Sequence, residues 1–162
     1  MIEITKHSGI FTLKTKQELP ITLEHAWQFF SNPKNLEKIT PKDMHFKITS
    51  TNKSDAYSGQ IITYKIGILP LITSNWVTEI TQVVQNTYFI DEQRFGPYKM
   101  WHHEHFFEKT ANGIVLMHDK ISYKLPFGIV GNILHVLFIK KKLKQIFTYR
   151  HNMLNNLFQT DD

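Results

Sequence analysis

Residues 96–125, GPYKMWHHEHFFEKTANGIVLMHDKISYKL, have the pattern of two β-strands joined by a tight turn, and this hairpin decides the fold. Ala-Asn-Gly at 111–113 is typical turn chemistry, and aromatic and β-branched residues flank it. Side chains alternate between the two faces of a strand. One face of the first strand therefore carries Trp101, His103, His105 and Phe107. Two large aromatic rings beside two imidazoles indicate a polar spot inside an apolar cavity.

The turn at 111–113 determines which residue lies opposite His105. A three-residue loop with Gly113 in the left-handed conformation pairs His105 with Asp119. A two-residue turn would instead pair His105 with Lys120. Asp119 lies on the more apolar face of the second strand, and this favours the three-residue loop. An aspartate that points inward beside a histidine must hydrogen-bond to it, because an unpaired buried charge is costly.

Outside the hairpin, the pattern is mostly strands. Alternating apolar residues separated by turn formers predict seven strands, and the short connections require antiparallel pairing. Thr22 begins a short helix as its N-cap, and Asn32-Pro33 separates it from a second helix that ends before Pro41. The predicted strands are Ile10–Leu19, Phe46–Ser50, Gln60–Ile68, Ser74–Val84, Thr87–Arg94, Lys99–Lys109 and Ile114–Leu125.

A long amphipathic helix is predicted from Gly128 to about Phe158. Apolar residues recur there at steps of three and four, which places them on one face of a helix. This stripe should pack against the sheet. Its expected members are Ile133, Val136, Leu137, Leu143, Phe147, Leu154 and Leu157.

This order of elements resembles the helix-grip fold, an α+β fold in which a strongly bent antiparallel sheet wraps around a long C-terminal helix. Four segments are similar to ligand-binding domains of the SRPBCC superfamily, which includes START and Bet v 1-like proteins. The resemblance covers essentially the whole chain and implies a single domain over 1–162. The segments are NPKNLEKITP (32–41), GPYKMWHHEHFFE (96–108), YKLPFG (123–128) and IFTYRHNML (146–154).

The resemblance implies a ligand cavity between the sheet and the long helix, but it does not specify the ligand. Members of this superfamily bind lipids, hormones, quinones or polyketides, and some are cyclases, dehydratases or oxygenase domains. The expected function is therefore the binding of a small, mostly apolar ligand such as a lipid, quinone, polyketide or aromatic compound. The alternative is a cyclase- or dehydratase-type enzyme that uses His105 and Asp119 as an acid/base pair.

Further wall residues follow from strand alternation. Trp76 shares a face with Thr78 and Ile80, and we expect Phe89, Asp91, Gln93 and Phe95 to point inward rather than Ile90, Glu92 and Arg94. Arg150 lies on the apolar stripe, where it either pairs with Asp91, Asp119 or a glutamate or anchors an anionic ligand; a structural pair is favoured. The expected ligand-binding residues are Trp76, Asp91, Gln93, Trp101, His103, His105, Phe107, Asp119, Tyr123 and Arg150.

A metal site is the less favoured interpretation of the histidines. His103 and His105 have His-x-His spacing, and Asp119 or His118 could be a third ligand. This spacing is short and frequent by chance, so no metal and no cofactor are expected.

Composition limits the remaining possibilities. The chain has 162 residues and no cysteine, which predicts one domain without disulfides or thiolate metal sites. No signal peptide and no membrane-spanning run is evident, so a cytoplasmic location is expected. The net charge is +5. Its densest cluster, Lys140, Lys141, Lys142 and Lys144, is expected to be a solvated helix face, with weak contact to an anionic membrane as the alternative and no nucleic-acid partner.

Overall fold

An eight-stranded antiparallel sheet forms the framework of the protein, as described by a computed structural model for residues 1–50, 55–69 and 72–159. The strand order across the sheet is β1-β2-β8-β7-β6-β5-β4-β3. Strand β2, near the start of the chain, therefore pairs with β8, the last strand. The strands are β1 Glu3–His7, β2 Ile10–Leu19, β3 Lys47–Ile48, β4 Gln60–Leu69, β5 Ile72–Val84, β6 Tyr88–Phe95, β7 Met100–Lys109 and β8 Val115–Lys124.

Helices follow β2 and β8. Helix α1, Leu23–Phe30, is capped by the Thr22 side chain, which accepts a hydrogen bond from the His25 backbone N–H. Two 3₁₀ segments, Pro33–Ile39 and Lys42–Met44, come next. The C-terminal helical run consists of α2 Gly128–Leu134, a π-helical turn His135–Ile139, and α3 Lys140–Phe158. Together they form the long helix of a helix-grip α+β fold, as the sequence predicted.

The first strand was not predicted. β1 forms a hairpin with β2 through Ser8 and Gly9, which both have positive φ. Apart from the half-buried Ile4, its side chains are exposed. A sheet-edge strand of this kind has no regular apolar alternation for a sequence pattern to reveal.

The predicted register of the β7–β8 hairpin is confirmed. Gly113 has a φ of 84°, in the left-handed region, and the Thr110 N–H bonds to the Ile114 carbonyl oxygen at 2.8 Å. Consequently His105 lies opposite Asp119. Glycine is favoured at this position because most side chains strain the left-handed conformation.

The long helix is buried only along part of the predicted stripe. Leu143, Phe147 and Leu154 are buried as expected. The prediction was wrong for four residues, which are exposed: Ile133, Val136, Leu137 and Leu157. For the first three, the π-helical turn supplies the reason, because it changes the helical phase so that a regular 3.6-residue stripe does not continue through it.

His135 occupies the buried position of that π-helical turn. Its ring stacks on Phe11 with centroids 3.6 Å apart, and its Nε2 lies 2.7 Å from the Tyr123 hydroxyl. Burial lowers the pKa of His135 to about 4, so the ring that shares this hydrogen bond with the Tyr123 hydroxyl is neutral. A polar side chain thus fixes α2 to β2 and β8.

Strand β6 departs from simple alternation as well. Between β5 and β6 the pairing shifts from Val77 opposite Phe95 to Thr78 opposite Gln93, which leaves Arg94 as an extra residue. A β-bulge of this kind reverses the facing of the residues beyond it. The prediction that Phe95 points inward was therefore wrong, and Phe95 is 65% exposed.

A leucine-to-alanine substitution should have unequal effects on stability in the two halves of the long helix. Leu154→Ala should lower the free energy of unfolding by about 2–5 kcal/mol, because it leaves a cavity in the core. Leu137→Ala, the matched control at an exposed position, should change it by less than about 0.5 kcal/mol. Urea unfolding measures both values, and equal losses would contradict the placement of these two leucines.

Candidate functional site

A cavity of about 470 Å³ is bounded by β4–β7, the 3₁₀ segments and the long helix. This volume lies within the usual range for small-molecule sites. Most of its wall is apolar. The apolar and aromatic wall residues include Phe30, Ile39, Met44, Ile62, Tyr64, Trp76, Ile80, Phe89, Tyr98, Trp101, Leu143 and Phe147.

Charged and titratable side chains meet at one part of this wall. Asp91 comes from β6, His103 and His105 from β7, and Arg150 from α3. Strand pairing brings the first three together, because Asp91 lies directly opposite His103. Asp119 on β8 lies opposite His105 but does not reach the cavity wall. Sheet register alone thus assembles two imidazoles between two carboxylates.

Asp91, His103, His105 and Asp119 form a carboxylate–imidazole cluster. His103 Nε2 is hydrogen-bonded to Asp119 Oδ1 at 3.0 Å, and His105 Nε2 to Asp91 Oδ2 at 2.9 Å. The centroids of the two imidazole rings are 3.7 Å apart. The remaining ring nitrogens also face carboxylates: His103 Nδ1 is 3.4 Å from Asp91, and His105 Nδ1 is 3.0 Å from Asp119. That last contact is ionic, since His105 Nδ1 has no well-directed hydrogen bond.

The pKa values of the two histidines shift in opposite directions in this cluster. Burial opposes the charge on His105, but its two carboxylate partners outweigh that effect and raise its pKa. Burial, followed by the positive charge of His105, lowers the pKa of His103. Burial also opposes ionisation of Asp91 and Asp119, yet hydrogen bonds from the imidazoles hold both carboxyl pKa values below normal. These shifts favour ionised Asp91 and Asp119, a charged His105 and a neutral His103.

Arg150 supplies the second positive charge. Its Nη1 lies 3.9 Å from Asp119 Oδ1, and its guanidinium lies over the Phe147 ring at 4.8 Å from the centroid. The expected ion pair between Arg150 and Asp119 is therefore present, but its nitrogen–oxygen distance is long. Within the described residues the Arg150 Nε has no hydrogen-bond partner although it is buried. The guanidinium thus balances the cluster charge and keeps donor capacity at the cavity wall.

An aromatic group continues the wall from this charged part. Trp76 donates its indole N–H to Thr78 Oγ1 at 3.0 Å, and the Tyr64 hydroxyl lies 3.1 Å from the same oxygen. The rings of Trp76 and Trp101 meet edge to face with centroids 5.3 Å apart, and Tyr98 packs against both. Because the indole N–H and hydroxyl are already paired, this part of the cavity offers mainly apolar surface.

Six of the ten expected ligand-binding residues line the cavity: Trp76, Asp91, Trp101, His103, His105 and Arg150. The other four lie behind its wall. Gln93 hydrogen-bonds through both side-chain ends to the Tyr98 backbone, Phe107 packs against Trp27, and the Tyr123 hydroxyl is paired with His135. Asp119 supports the two histidines from outside the cavity. Ligand contact by any of the ten stays a prediction.

Most of the wall residues were not among the candidates, and three of these carry polar atoms beside the aromatic group: Tyr64, Thr78 and Tyr98. Thr78 shares a strand face with Trp76, so alternation contained the signal that placed it there. Tyr98 lies in the turn between β6 and β7, where no strand or helix period applies. Its inward position depends on the two hydrogen bonds with Gln93.

A metal would find a different third ligand from the two considered in the sequence. One ligand atom each from Asp91, His103 and His105 lies within 4.8 Å of the others. His118 instead pairs with Glu108 at 2.9 Å, away from the cavity. Two of these three residues, His105 and Asp91, already hydrogen-bond to each other at 2.9 Å. The enzymatic alternative likewise stays a prediction, with Asp119 placed to orient His105 rather than to contact a cavity ligand.

Comparisons with known proteins identify the fold. No protein-family model and no curated protein matches the chain. Solved structures match throughout its length: protein Ms6760 from Mycobacterium smegmatis has a TM-score of 0.65 at 14% identity and covers 100% of this chain and 99% of its own. TTHA0849 from Thermus thermophilus has a TM-score of 0.62 at 13% identity, and the match covers 91% of this chain and 99% of TTHA0849.

The structure of Ara h 8.0201 also matches, with a TM-score of 0.59, 14% identity, and coverage of 91% of this chain and 99% of its own. At such identities the comparisons show the fold alone. That fold is the helix-grip α+β type described above. No helix in the described part of the chain has the length and apolar character needed to cross a membrane.

Removing the charge of Asp119 should destabilise the protein strongly. In Asp119→Asn, Arg150 and a protonated His105 lose a buried anionic partner. We therefore expect the free energy of unfolding to fall by about 3 kcal/mol or more. Glu108→Gln is the matched control, because it breaks an exposed carboxylate–histidine pair on the same hairpin and should cost at most about 1 kcal/mol. Urea unfolding near neutral pH measures both, and a loss for Asp119→Asn no greater than the control would refute the charge assignment.

The two cavity histidines should titrate on opposite sides of the ordinary value of 6.5. Since the folded-state pKa of His105 is raised, its contribution to stability is complete below 6.5 and is lost as the pH rises through the raised value. That of His103 is lowered, so its contribution is present above 6.5 and is lost as the pH falls. Imidazole ¹⁵N chemical shifts measure the midpoints, and coincident titration at the ordinary value would be the contrary result.

Proposed function

We propose that the protein binds a small, mostly apolar ligand with an acidic or hydrogen-bond-accepting head group in the cavity between the sheet and the long helix. The observation that carries this proposal is the guanidinium of Arg150 at the cavity wall, which forms no hydrogen bond with a described residue and only a 3.9 Å ion pair with Asp119. A buried donor without a partner is costly. A ligand acceptor would remove that cost.

The composition of the wall supports an apolar body for the ligand. Aliphatic and aromatic side chains make up most of it, and the polar atoms of Trp76, Tyr64 and Thr78 satisfy one another. Water in this region would find few partners, so an apolar group should displace it favourably. Lipids, quinones, polyketides and aromatic compounds all fit this description.

The charges at the wall support an acidic head group. Arg150 and a protonated His105, which its raised pKa favours, offset the charges of Asp91 at the wall and Asp119 behind it. The lowered pKa of His103 favours its neutral form, and a nearby anion would favour its protonation. The site can therefore accept a negative charge by taking up a proton, which a rigid ion-pair network could not do.

A matched pair of fluorescent probes tests this function. Pyrenebutyric acid should bind about tenfold more tightly than its methyl ester, because a charged acceptor gains more from the buried guanidinium than a neutral one. Arg150→Met should remove this preference. Lys144→Met, which removes the same charge from the exposed side of α3, should keep it. Energy transfer from Trp76 and Trp101 to pyrene reports occupancy of the cavity.

Two results would contradict the proposal at different levels. Equal affinities of the wild-type protein for acid and ester would remove the head-group role of Arg150. Absence of saturable binding for both probes, and of any molecule released from the purified protein on denaturation, would remove the ligand-binding function itself.

A further inference from the structure

The first half of the long helix exposes an unusual amount of apolar surface. Within residues 127–138, called the apolar segment, eight large apolar side chains are at least 42% exposed. Elsewhere in the described residues, exposed large apolar side chains are scattered through the sheet and the chain ends. Contiguous apolar patches mark interaction surfaces. The eight residues are Phe127, Ile129, Val130, Ile133, Leu134, Val136, Leu137 and Phe138.

The exposure of the apolar segment is enforced by the fold. His135 is held inside by Phe11 and Tyr123, and the backbone at Gly131 approaches so closely that a Cβ there would lie 2.1 Å from the Pro126 carbonyl oxygen. These two anchors fix the phase of α2 and turn its large side chains outward. Phe127 precedes them with a φ of 67°, a conformation unusual for a bulky residue, and its ring is 79% exposed.

A strongly basic stretch accompanies the apolar segment. No aspartate or glutamate occurs between Asp119 and Asp161, whereas this stretch contains six lysines and Arg150. Lys140, Lys141 and Lys144, called the lysine cluster, directly follow the apolar segment and are exposed. They line one shallow depression together with Val136, so they border the apolar surface. Lys142 differs from them, because it pairs with Asp43 at 2.7 Å.

The ligand cavity lies directly beneath this surface. Phe127, Leu134 and Phe138 belong to the apolar segment and also contribute to the cavity wall. A partner on this surface would therefore contact the same side chains that separate the cavity from solvent.

We propose that the apolar segment and the lysine cluster together dock the protein onto an anionic membrane surface. A helix with exposed apolar side chains and adjacent lysines can bury the former at the acyl boundary while the lysines meet lipid phosphates. A second copy of the chain fits less well, because its own copy of this helix carries no carboxylate that could neutralise the lysine cluster. The proposal goes beyond cavity binding and does not require a cavity ligand.

Vesicle sedimentation of the full-length protein without added ligand tests the proposal. The probes are vesicles of phosphatidylcholine alone and vesicles that also contain phosphatidylglycerol. We expect much stronger binding to the anionic vesicles, and weaker binding as the salt concentration rises. Equal binding to both vesicle types, or none to either, would overturn the proposal.

Two variants separate the apolar contribution from the charge contribution. Ile129→Ser/Ile133→Ser should reduce the partition coefficient at least about tenfold, since it removes two exposed apolar side chains. Lys140→Gln/Lys141→Gln/Lys144→Gln should reduce binding to anionic vesicles by about fivefold per lysine.

Matched controls change equivalent residues on other surfaces. Ile61→Ser/Phe95→Ser removes two exposed apolar side chains from the sheet, and Lys14→Gln/Lys16→Gln/Lys109→Gln removes the same charge. Both should bind nearly as the wild type does. Losses equal to those of the test variants would overturn the proposal, as would a concentration-dependent dimer in light scattering that Ile129→Ser/Ile133→Ser abolishes.

Because vesicle lipids belong to a class of compound proposed for the cavity, a variant separates the two proposals. Ile129→Ser/Ile133→Ser changes residues outside the cavity wall, so it should weaken vesicle binding and leave pyrenebutyric acid binding intact. Failure of vesicle binding with intact pyrenebutyric acid binding would remove only the docking surface. Loss of probe binding with intact vesicle binding would remove only the cavity function.

Discussion

The placement of Asp119 against two imidazoles is the interaction on which the interior of this protein depends. Its oxygen lies 3.0 Å from a nitrogen of His103 and 3.0 Å from a nitrogen of His105, and all three side chains are buried. A buried carboxylate without such partners would be very unfavourable. The pairing therefore requires one register of β7 on β8, and that register in turn points Trp101 and the histidines at the long helix. The register of β7 on β8, the packing of the core and the polar chemistry of the cavity therefore all depend on the same pairing.

The polar part of the cavity is assembled almost entirely by backbone pairing. Neighbouring strands bring Asp91, His103, His105 and Asp119 together directly, and only Arg150 comes from a distant part of the chain. Groups on strands are held more rigidly than groups on loops. The contribution from a turn, Tyr98, is fixed by its hydrogen bonds with Gln93. A polar cluster supported in this way can keep its arrangement whether or not the cavity is occupied.

Much of this arrangement could be predicted from the sequence. Turn chemistry at Gly113 and the apolar face around Asp119 were sufficient for the hairpin register, and alternation placed Trp76 and Asp91 on the inner face. The wrong predictions for Phe95 and for Ile133, Val136 and Leu137 share a physical cause, which is a local break in period. A bulge at Arg94 turned Phe95 outward, and a π-helical turn placed His135 inside instead of Val136 or Leu137. Both depend on tertiary contacts, so no periodic pattern in the sequence could reveal them.

The π-helical turn at His135–Ile139 divides the long helix into two surfaces with separate orientations. Each residue in an α-helix advances by about 100°, so a single residue gained or lost within the turn would rotate one half against the other by nearly a third of a revolution. Point substitutions alter one side chain at a time, whereas an insertion or deletion here would exchange whole faces. Length variation at this turn is thus a direct evolutionary route by which the outer surface of such a protein could be exchanged while the interior, held by α3, stays the same.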